Sequence, residues 1–182
     1  MTRRALLLID IQNDYFPEGR YPLVGIEAAA ENAARLLAAA RAAGETVVHV
    51  RHEFAMPDAP FFSPGTEGAQ IHPSVAPLEG ETVVLKHQVN AFRDTDLKAV
   101  LDAAGVEELT VAGAMSHMCI DAGVRAASDL GYKVRLAHDA AATRDQEFGG
   151  VTTPAAQTHA AFMAALGFAY ADVRSADELI AG

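Results

Sequence analysis

Residues 109–137 read LTVAGAMSHMCIDAGVRAASDLGYKVRLA and contain a strand–helix–strand pattern within one stretch. The segments 109–112 and 133–137 are short and rich in aliphatic residues, as is typical of strands that are buried on both faces. Between them, residues 116–130 have the apolar spacing of a helix, and Gly131 follows as a stop signal. This order predicts two parallel strands that are joined by a right-handed crossover.

The same alternation continues on both sides of this stretch. Further strands are predicted at 5–9, 46–50, 82–85 and 168–173, and further helices at 27–43, 97–104 and 154–166. Strands that alternate with helices are typical of a three-layer α/β/α sandwich. We therefore predict a mostly parallel, Rossmann-like sheet of about six strands, with residues 1–182 forming a single domain.

Composition and charge exclude several classes of protein. Of the 182 residues, 51% are hydrophobic, and 14 Lys plus Arg against 24 Asp plus Glu give a net charge of −10. This acidic balance argues against a nucleic-acid partner, and the apolar runs are too short to span a membrane. The run that follows Arg4 ends at Asp10 without a cleavage site, so we expect a cytoplasmic protein. Cys119 is the single cysteine, which excludes an internal disulfide.

The segment 54–77 interrupts the alternation of strands and helices. It holds five prolines and three phenylalanines and has no clear period. A long loop of this kind inside a domain is often functional, and we expect it to act as a lid or as an oligomer contact.

Three chemically active residues follow predicted strands. Asp10 ends the first strand, Lys86 ends the third, and Cys119 lies in the first turn of the helix after the fourth. Because ligands bind at the carboxyl ends of parallel strands, we expect these residues to meet at one edge of the sheet. A nearby ammonium and a helix N-terminus favour the thiolate, so a thiol pKa below that of free cysteine is expected. A neighbouring carboxylate can take the thiol proton and later return it.

At these positions the sequence resembles the isochorismatase-like cysteine hydrolases, a family that includes nicotinamidases and other amidases. The matching motifs are D-x-Q-N-D-[FY] at residues 10–15, the lysine segment from Lys86 to Leu97, and VAGAMSHMC at residues 111–119. The resemblance implies that Cys119 is the nucleophile, Asp10 the general base and acid, and Lys86 the cation that stabilises the thiolate. It also implies a cis Ala114–Met115 peptide bond, an oxyanion hole formed by the N–H groups of Met115 and Cys119, and a homo-oligomer.

One departure from the family pattern concerns metals. Nicotinamidases of this family have an Asp-x-His metal motif after the second strand, whereas this chain reads HVRHEF at residues 49–54. We therefore expect no metal and no other cofactor, and His49, His52 and His72 remain the alternative candidates for a metal site.

The substrate is expected to be a small molecule. Aromatic and imidazole side chains near the motifs are the candidates for binding it, namely Phe16, Phe62, Phe92 and His117. The prediction is a cysteine-dependent hydrolase that cleaves the C–N bond of a small amide, ureide or lactam through a Cys119 acyl-enzyme. Two alternatives stay open: vinyl-ether hydrolysis of the isochorismatase type, for which Arg93 and Arg144 are candidate anion-binding groups, and a non-catalytic α/β binding module.

Overall fold

The sheet forms from the aliphatic runs of the sequence in a computed structural model, which describes residues 2–56 and 58–182. Met1 and Pro57, a proline of the 54–77 loop, lie outside the described residues. The strands are β1 (Arg4–Ile9), β2 (Thr46–His52), β3 (Thr82–Lys86), β4 (Glu108–Ala114), β5 (Lys133–Ala142), β6 (Gln146–Phe148), β7 (Val151–Thr153) and β8 (Asp172–Arg174). Six of them form one parallel sheet in the order β3-β2-β1-β4-β5-β8.

Helices cover both faces of this sheet. They are α1 (Ile26–Ala43), α2 (Leu97–Ala103), α3 (Asp121–Asp129), α4 (Ala155–Ala169) and α5 (Ala176–Ala181). Successive residues of a strand point to opposite faces, and in β1 Leu6 and Leu8 pack with α1 and α5 while Leu7 and Ile9 pack with α2, α3 and α4. The three-layer sandwich with a six-stranded parallel sheet is therefore confirmed.

The last predicted strand was placed too early. Helix α4 continues through Gly167 to Ala169, and strand β8 covers only Asp172–Arg174. Phe168 lies in the helix with 92% of its surface exposed. A short apolar run does not distinguish a helix from a strand by its periodicity, and one glycine inside a helix is tolerated at a cost of about 1 kcal/mol.

Two elements at the C-terminal side were not predicted. Strands β6 and β7 form an antiparallel hairpin, whose turn residues Gly149 and Gly150 both have positive φ. That conformation is the one that a tight two-residue turn requires. Helix α5 begins with a capping box formed by Ser175 and Glu178. Both signals are present in the sequence but are short.

The 54–77 loop is held against the segment that follows β1. The Phe62 N–H donates to Asp14 Oδ2 at 2.7 Å, and the Gln12 amide donates to the Ala69 carbonyl at 2.8 Å. The His72 N–H donates to the Ile11 carbonyl at 2.8 Å. The loop thus lies beside the carboxyl end of the central strand, although its action as a lid or oligomer contact remains a prediction.

Within residues 2–56 and 58–182, none of the helices combines the length and apolar character that crossing a membrane requires.

Candidate active site

Asp10 follows directly after the central strand β1. Its backbone has a φ of +55°, a left-handed conformation that aspartate adopts more readily than most residues. The Asp10 N–H donates to the Val50 carbonyl of β2 at 2.9 Å, and the side chain is fully buried. The Asp10 Oδ1 atom accepts no hydrogen bond from the part of the chain that the structure describes. This oxygen is therefore available to take a proton.

Lys86 is the last residue of β3 and its side chain reaches past the end of β2. Its Nζ lies 2.8 Å from Asp10 Oδ2 and 3.3 Å from Cys119 Sγ. The lysine is also fully buried. The ammonium consequently lies between the carboxylate and the sulfur.

The Cys119 thiol is presented by a tight turn after β4. Gly113 has a φ of +134°, and a Cβ there would lie 1.9 Å from the Ile9 carbonyl oxygen of β1. The next peptide bond, Ala114–Met115, is cis. The Met115 carbonyl then accepts hydrogen bonds from the N–H groups of Met118 and Ile120, within a π-helical turn at Ser116–Ile120. Cys119 lies in this turn with 5% of its surface exposed.

The expectation of a lowered thiol pKa is wrong, because the surroundings of Cys119 raise its pKa. Burial raises the pKa of Cys119, and the Asp10 carboxylate raises it further, whereas Lys86 lowers it by less. The pKa of Cys119 is therefore above its usual value, and the resting sulfur is a protonated thiol. For Lys86, burial lowers the pKa, but the charge of Asp10 and the contact with Cys119 raise it by more, so the lysine is an ammonium.

Two further side chains around this cluster had no role in the sequence-based prediction of catalysis. His52 ends β2 and its Nδ1 lies 2.8 Å from Lys86 Nζ. Tyr15 is buried, and its phenol pKa is raised by burial and by the charges of Cys119 and Asp10. In the β2–β3 register, His52 pairs with Lys86. This pairing could have identified His52 as a neighbour of Lys86, but the predicted β2 ends at residue 50 and does not include His52.

The four predicted substrate-binding residues lie in different surroundings. Phe62 packs against Tyr15 and His52, with ring centroids 4.5 and 6.2 Å away, and so adjoins the cluster. Phe16 instead stacks on His72 at 3.5 Å, and Phe92 packs over Tyr132 at 6.2 Å. His117, half-buried, has Nδ1 2.6 Å from Thr143 Oγ1. Substrate contact by these residues remains a prediction.

The three histidines considered for a metal have separate partners. His49 Nε2 lies 2.9 Å from Glu81 Oε2, His52 Nδ1 contacts Lys86, and His72 Nδ1 lies 2.8 Å from Ser74 Oγ. Among the described residues, no group of three or more His, Cys, Asp or Glu side chains is arranged to hold a metal ion.

Ser116 fixes the start of the turn that carries Cys119. Its hydroxyl donates to the Ala142 carbonyl of β5 at 3.2 Å and lies 2.8 Å from His159 Nδ1 of α4. The turn that carries Cys119 is therefore tied to a strand and to a helix.

Comparisons with known proteins agree with this architecture. The family model of the isochorismatase domain matches residues 4–177. The isochorismatase family protein YddQ of Bacillus subtilis is 50% identical over 176 residues, which cover 97% of this chain and 98% of YddQ. A crystal structure of an isochorismatase hydrolase from Oleispira antarctica is 66% identical, with a TM-score of 0.97 over 100% of this chain and 97% of that one.

A relative whose name states its reaction is also similar to this chain. The maleamate amidohydrolase of Pseudomonas putida is 34% identical over 158 residues, covering 79% of this chain and 74% of that protein.

Proposed function

The chain belongs to the isochorismatase family, and from this premise we propose that it is a cysteine-dependent hydrolase of small C–N substrates. The bond that it cleaves is that of an amide, a ureide or a lactam. The reaction proceeds through an acyl-enzyme on Cys119, with Asp10 as the proton carrier and Lys86 as the fixed cation.

The observation that carries the proposal is the position of the Lys86 ammonium. Its Nζ lies 2.8 Å from Asp10 Oδ2 and 3.3 Å from Cys119 Sγ, and all three side chains are buried. A nucleophile, a base and a positive charge in contact are the arrangement of covalent catalysis. A buried cysteine in an apolar core would need neither charged group.

Acylation begins from the protonated thiol. Asp10 takes the proton of Cys119 as Sγ attacks the carbonyl carbon of the substrate, and Lys86 balances the negative charge during this transfer. The N–H groups of Met115 and Cys119 are assigned to the oxyanion, where a single donor has a typical effect of about 3 to 4 kcal/mol on the barrier in other enzymes. Asp10 then gives the proton to the leaving nitrogen, and a thioester remains on Cys119.

Deacylation uses the same groups in reverse order. A water molecule loses its proton to Asp10 as it attacks the thioester carbonyl, and the carboxylic acid is released. The proton returns to the sulfur, so the enzyme is restored without any cofactor.

The amide chemistry of the substrate is supported by the maleamate amidohydrolase relative. The isochorismatase-type alternative has a candidate cation in Arg144, whose guanidinium lies 4.1 Å above the ring of Tyr21. Burial lowers the pKa of the half-buried His117, and the charge of Arg144 lowers it further. Arg93 pairs with the exposed Asp94 at 3.6 Å.

A panel of small primary amides, ureides and lactams tests the proposal, with release of ammonia or opening of the ring as the readout. We expect turnover of at least one class, loss of turnover in Cys119→Ala, and unchanged turnover after treatment with a chelator. Met118→Ala, a change of an exposed residue in the same turn, is the matched control. Full activity of Cys119→Ala would disprove the nucleophile, and loss on chelation that zinc restores would disprove the metal-free reaction.

A further inference from the structure

The Lys86 ammonium has more acceptors around it than hydrogens to donate. Hydrogen bonds join Lys86 Nζ to His52 Nδ1 at 2.8 Å, to the Gln88 carbonyl at 3.1 Å and to Cys119 Sγ at 3.3 Å. Asp10 Oδ2, the fourth acceptor, also lies 2.8 Å from Nζ, but as an ion pair outside hydrogen-bond geometry. An ammonium group has three N–H donors. The position of Nζ therefore depends on how these acceptors compete, and removal of any one of them changes the balance.

The contact with the ammonium fixes the protonation state of His52. An ammonium can only donate, so His52 Nδ1 must accept, and the ring proton must be on Nε2. Burial, followed by the charge of Lys86, lowers the pKa of His52 to about 4. Nε2 is buried and has no hydrogen-bond partner among the described residues. The imidazole is consequently a neutral acceptor rather than a second base.

Gln12, which lies two residues after Asp10, holds the backbone of His52 through two hydrogen bonds. The Gln12 amide nitrogen donates to the His52 carbonyl at 2.8 Å, and the His52 N–H donates to Gln12 Oε1 at 2.7 Å. On the other side, the ring of Phe54 packs edge-on at a centroid distance of 4.6 Å. These contacts leave the ring little freedom to move away from Lys86.

We propose that His52 is a positioning residue, whose neutral imidazole holds the Lys86 ammonium between Asp10 and Cys119. This inference rests on the proposed function for its catalytic meaning, but its geometry can be tested without a substrate. If His52 is removed, Asp10 is the strongest remaining attraction, and the ammonium moves toward the carboxylate and away from the sulfur. The thiolate then loses its stabilising charge.

Alkylation of Cys119, the sole thiol, reports this change directly. The rate of reaction with iodoacetamide is followed across the pH range in the wild type, His52→Leu and His52→Asn. His52→Leu removes the acceptor, and we expect its thiol pKa to rise by about one unit, which slows alkylation about tenfold at a fixed pH below that pKa. Asparagine keeps an acceptor oxygen near the Nδ1 position, so His52→Asn is expected to recover most of the rate.

His87→Asn is the matched control. It removes the neighbouring exposed imidazole, whose Nδ1 contacts the Glu53 carbonyl at 2.6 Å, and we expect it to change the alkylation rate less than about twofold, because the four acceptors of Lys86 remain. The other titratable groups that face the cluster are Tyr15 and Asp10, and neither is altered in these variants. A His52→Leu profile identical to that of the wild type would overturn the inference.

A measurement on the unsubstituted protein covers the case in which His52→Leu does not fold. Nitrogen NMR of ¹⁵N-labelled histidine should show His52, assigned by its absence in His52→Asn, as the Nε2–H tautomer with no titration between about pH 5 and 8. Titration near the usual histidine pKa, or a proton on Nδ1, would overturn the inference. A wild-type thiol that resists alkylation at every pH while this tautomer is present would instead contradict the proposed function alone.

Discussion

At the scale of single residues, the negative charge of Asp10 has two opposite effects on Cys119. In the proposed reaction the carboxylate takes the thiol proton during attack, yet its charge raises the thiol pKa before the reaction begins. Asp10→Asn removes both effects at once while keeping the size of the side chain. The two effects can therefore be separated by two assays on one variant.

We predict that Asp10→Asn alkylates faster than the wild type near neutral pH. Loss of the carboxylate lowers the thiol pKa, so a larger fraction of thiolate is present. Amide turnover should fall by at least about a hundredfold, because no group takes the proton and returns it to the leaving nitrogen. Iodoacetamide kinetics and an ammonia assay give the two results. Slower alkylation together with normal turnover would show that Asp10 is neither the source of the raised pKa nor the base.

The residues of this cluster could be predicted from the sequence, but the direction of the thiol pKa shift could not. Asp10, Lys86 and Cys119 could be selected because each follows a strand, and their convergence needs only a parallel sheet. The raised thiol pKa depends on burial and on the distance to Asp10, and neither is encoded in the order of residues. The contact of His52 with Lys86 depends in turn on β2 continuing to residue 52.

At the scale of elements, β1 and β4 pair at Ile9 and Gly113, where the backbones leave no room for a side chain. A side chain there would collide with the Ile9 carbonyl, and the φ of +134° is unfavourable for any L-residue. This close approach is followed directly by the turn that carries Cys119. The glycine therefore determines where Cys119 lies relative to the end of β1.

We predict that Gly113→Ala lowers the free energy of unfolding by about 3 kcal/mol or more, because both a backbone collision and an unfavourable φ are introduced. Gly131→Ala is the control, since Gly131 has a φ of +94° but open space around its Cβ position. The control should lose only about 1 kcal/mol, from the φ alone. Urea denaturation measures both values, and equal losses would show that the collision with Ile9 is unimportant.

Helix α1 contacts the segment before β3 through Arg41 and Glu81. Glu81 accepts two hydrogen bonds from Arg41 of α1, at 2.7 and 2.8 Å, and contacts His49 of β2. The hydrogen bonds from Arg41 lower the pKa of Glu81 to about 2, from an ordinary value of 4.5. A lowered carboxyl pKa contributes stability above the ordinary value, and this stability is lost as the pH falls toward 2.

Glu81→Gln should therefore unfold more easily than the wild type at neutral pH, by about 1 to 3 kcal/mol. The difference should shrink as the pH is lowered from about 4.5, and urea denaturation at several pH values follows it. Glu79→Gln, a change of an exposed glutamate two residues earlier, should show no such trend. A difference between Glu81→Gln and the wild type that stays constant down to pH 3 would contradict the assignment.

The element boundaries show which signals in the sequence were strong. Strands β1 to β5 begin within one residue of the predicted starts, because aliphatic runs next to glycines mark them well. The boundary between α4 and β8 was wrong, since the apolar residues around Gly167 suit either element. The capping box of α5 and the Gly149–Gly150 turn are local signals, and short elements of this kind depend on tertiary packing for their stability.

At the scale of the whole molecule, the doubly covered parallel sheet brings together residues that are far apart in sequence. Asp10, Lys86 and Cys119 come from the carboxyl ends of β1 and β3 and from the turn after β4, with β2 lying between β1 and β3. The fold was predictable from the alternation of strands and helices, and the resemblance to the isochorismatase family from the order of its motifs. The substrate was not, because the residues that would contact it lie on loops whose positions depend on the whole fold.

The proposed reaction requires a covalent acyl intermediate on Cys119. An amide identified in the substrate panel is mixed with the enzyme, quenched in acid on the millisecond scale, and examined by intact-protein and peptide mass spectrometry. We predict a mass increase equal to the acyl part of the substrate, located on the peptide that contains Cys119 and absent in Cys119→Ala. Turnover by the wild type without any adduct, together with retained activity in Cys119→Ala, would contradict an acyl intermediate on Cys119.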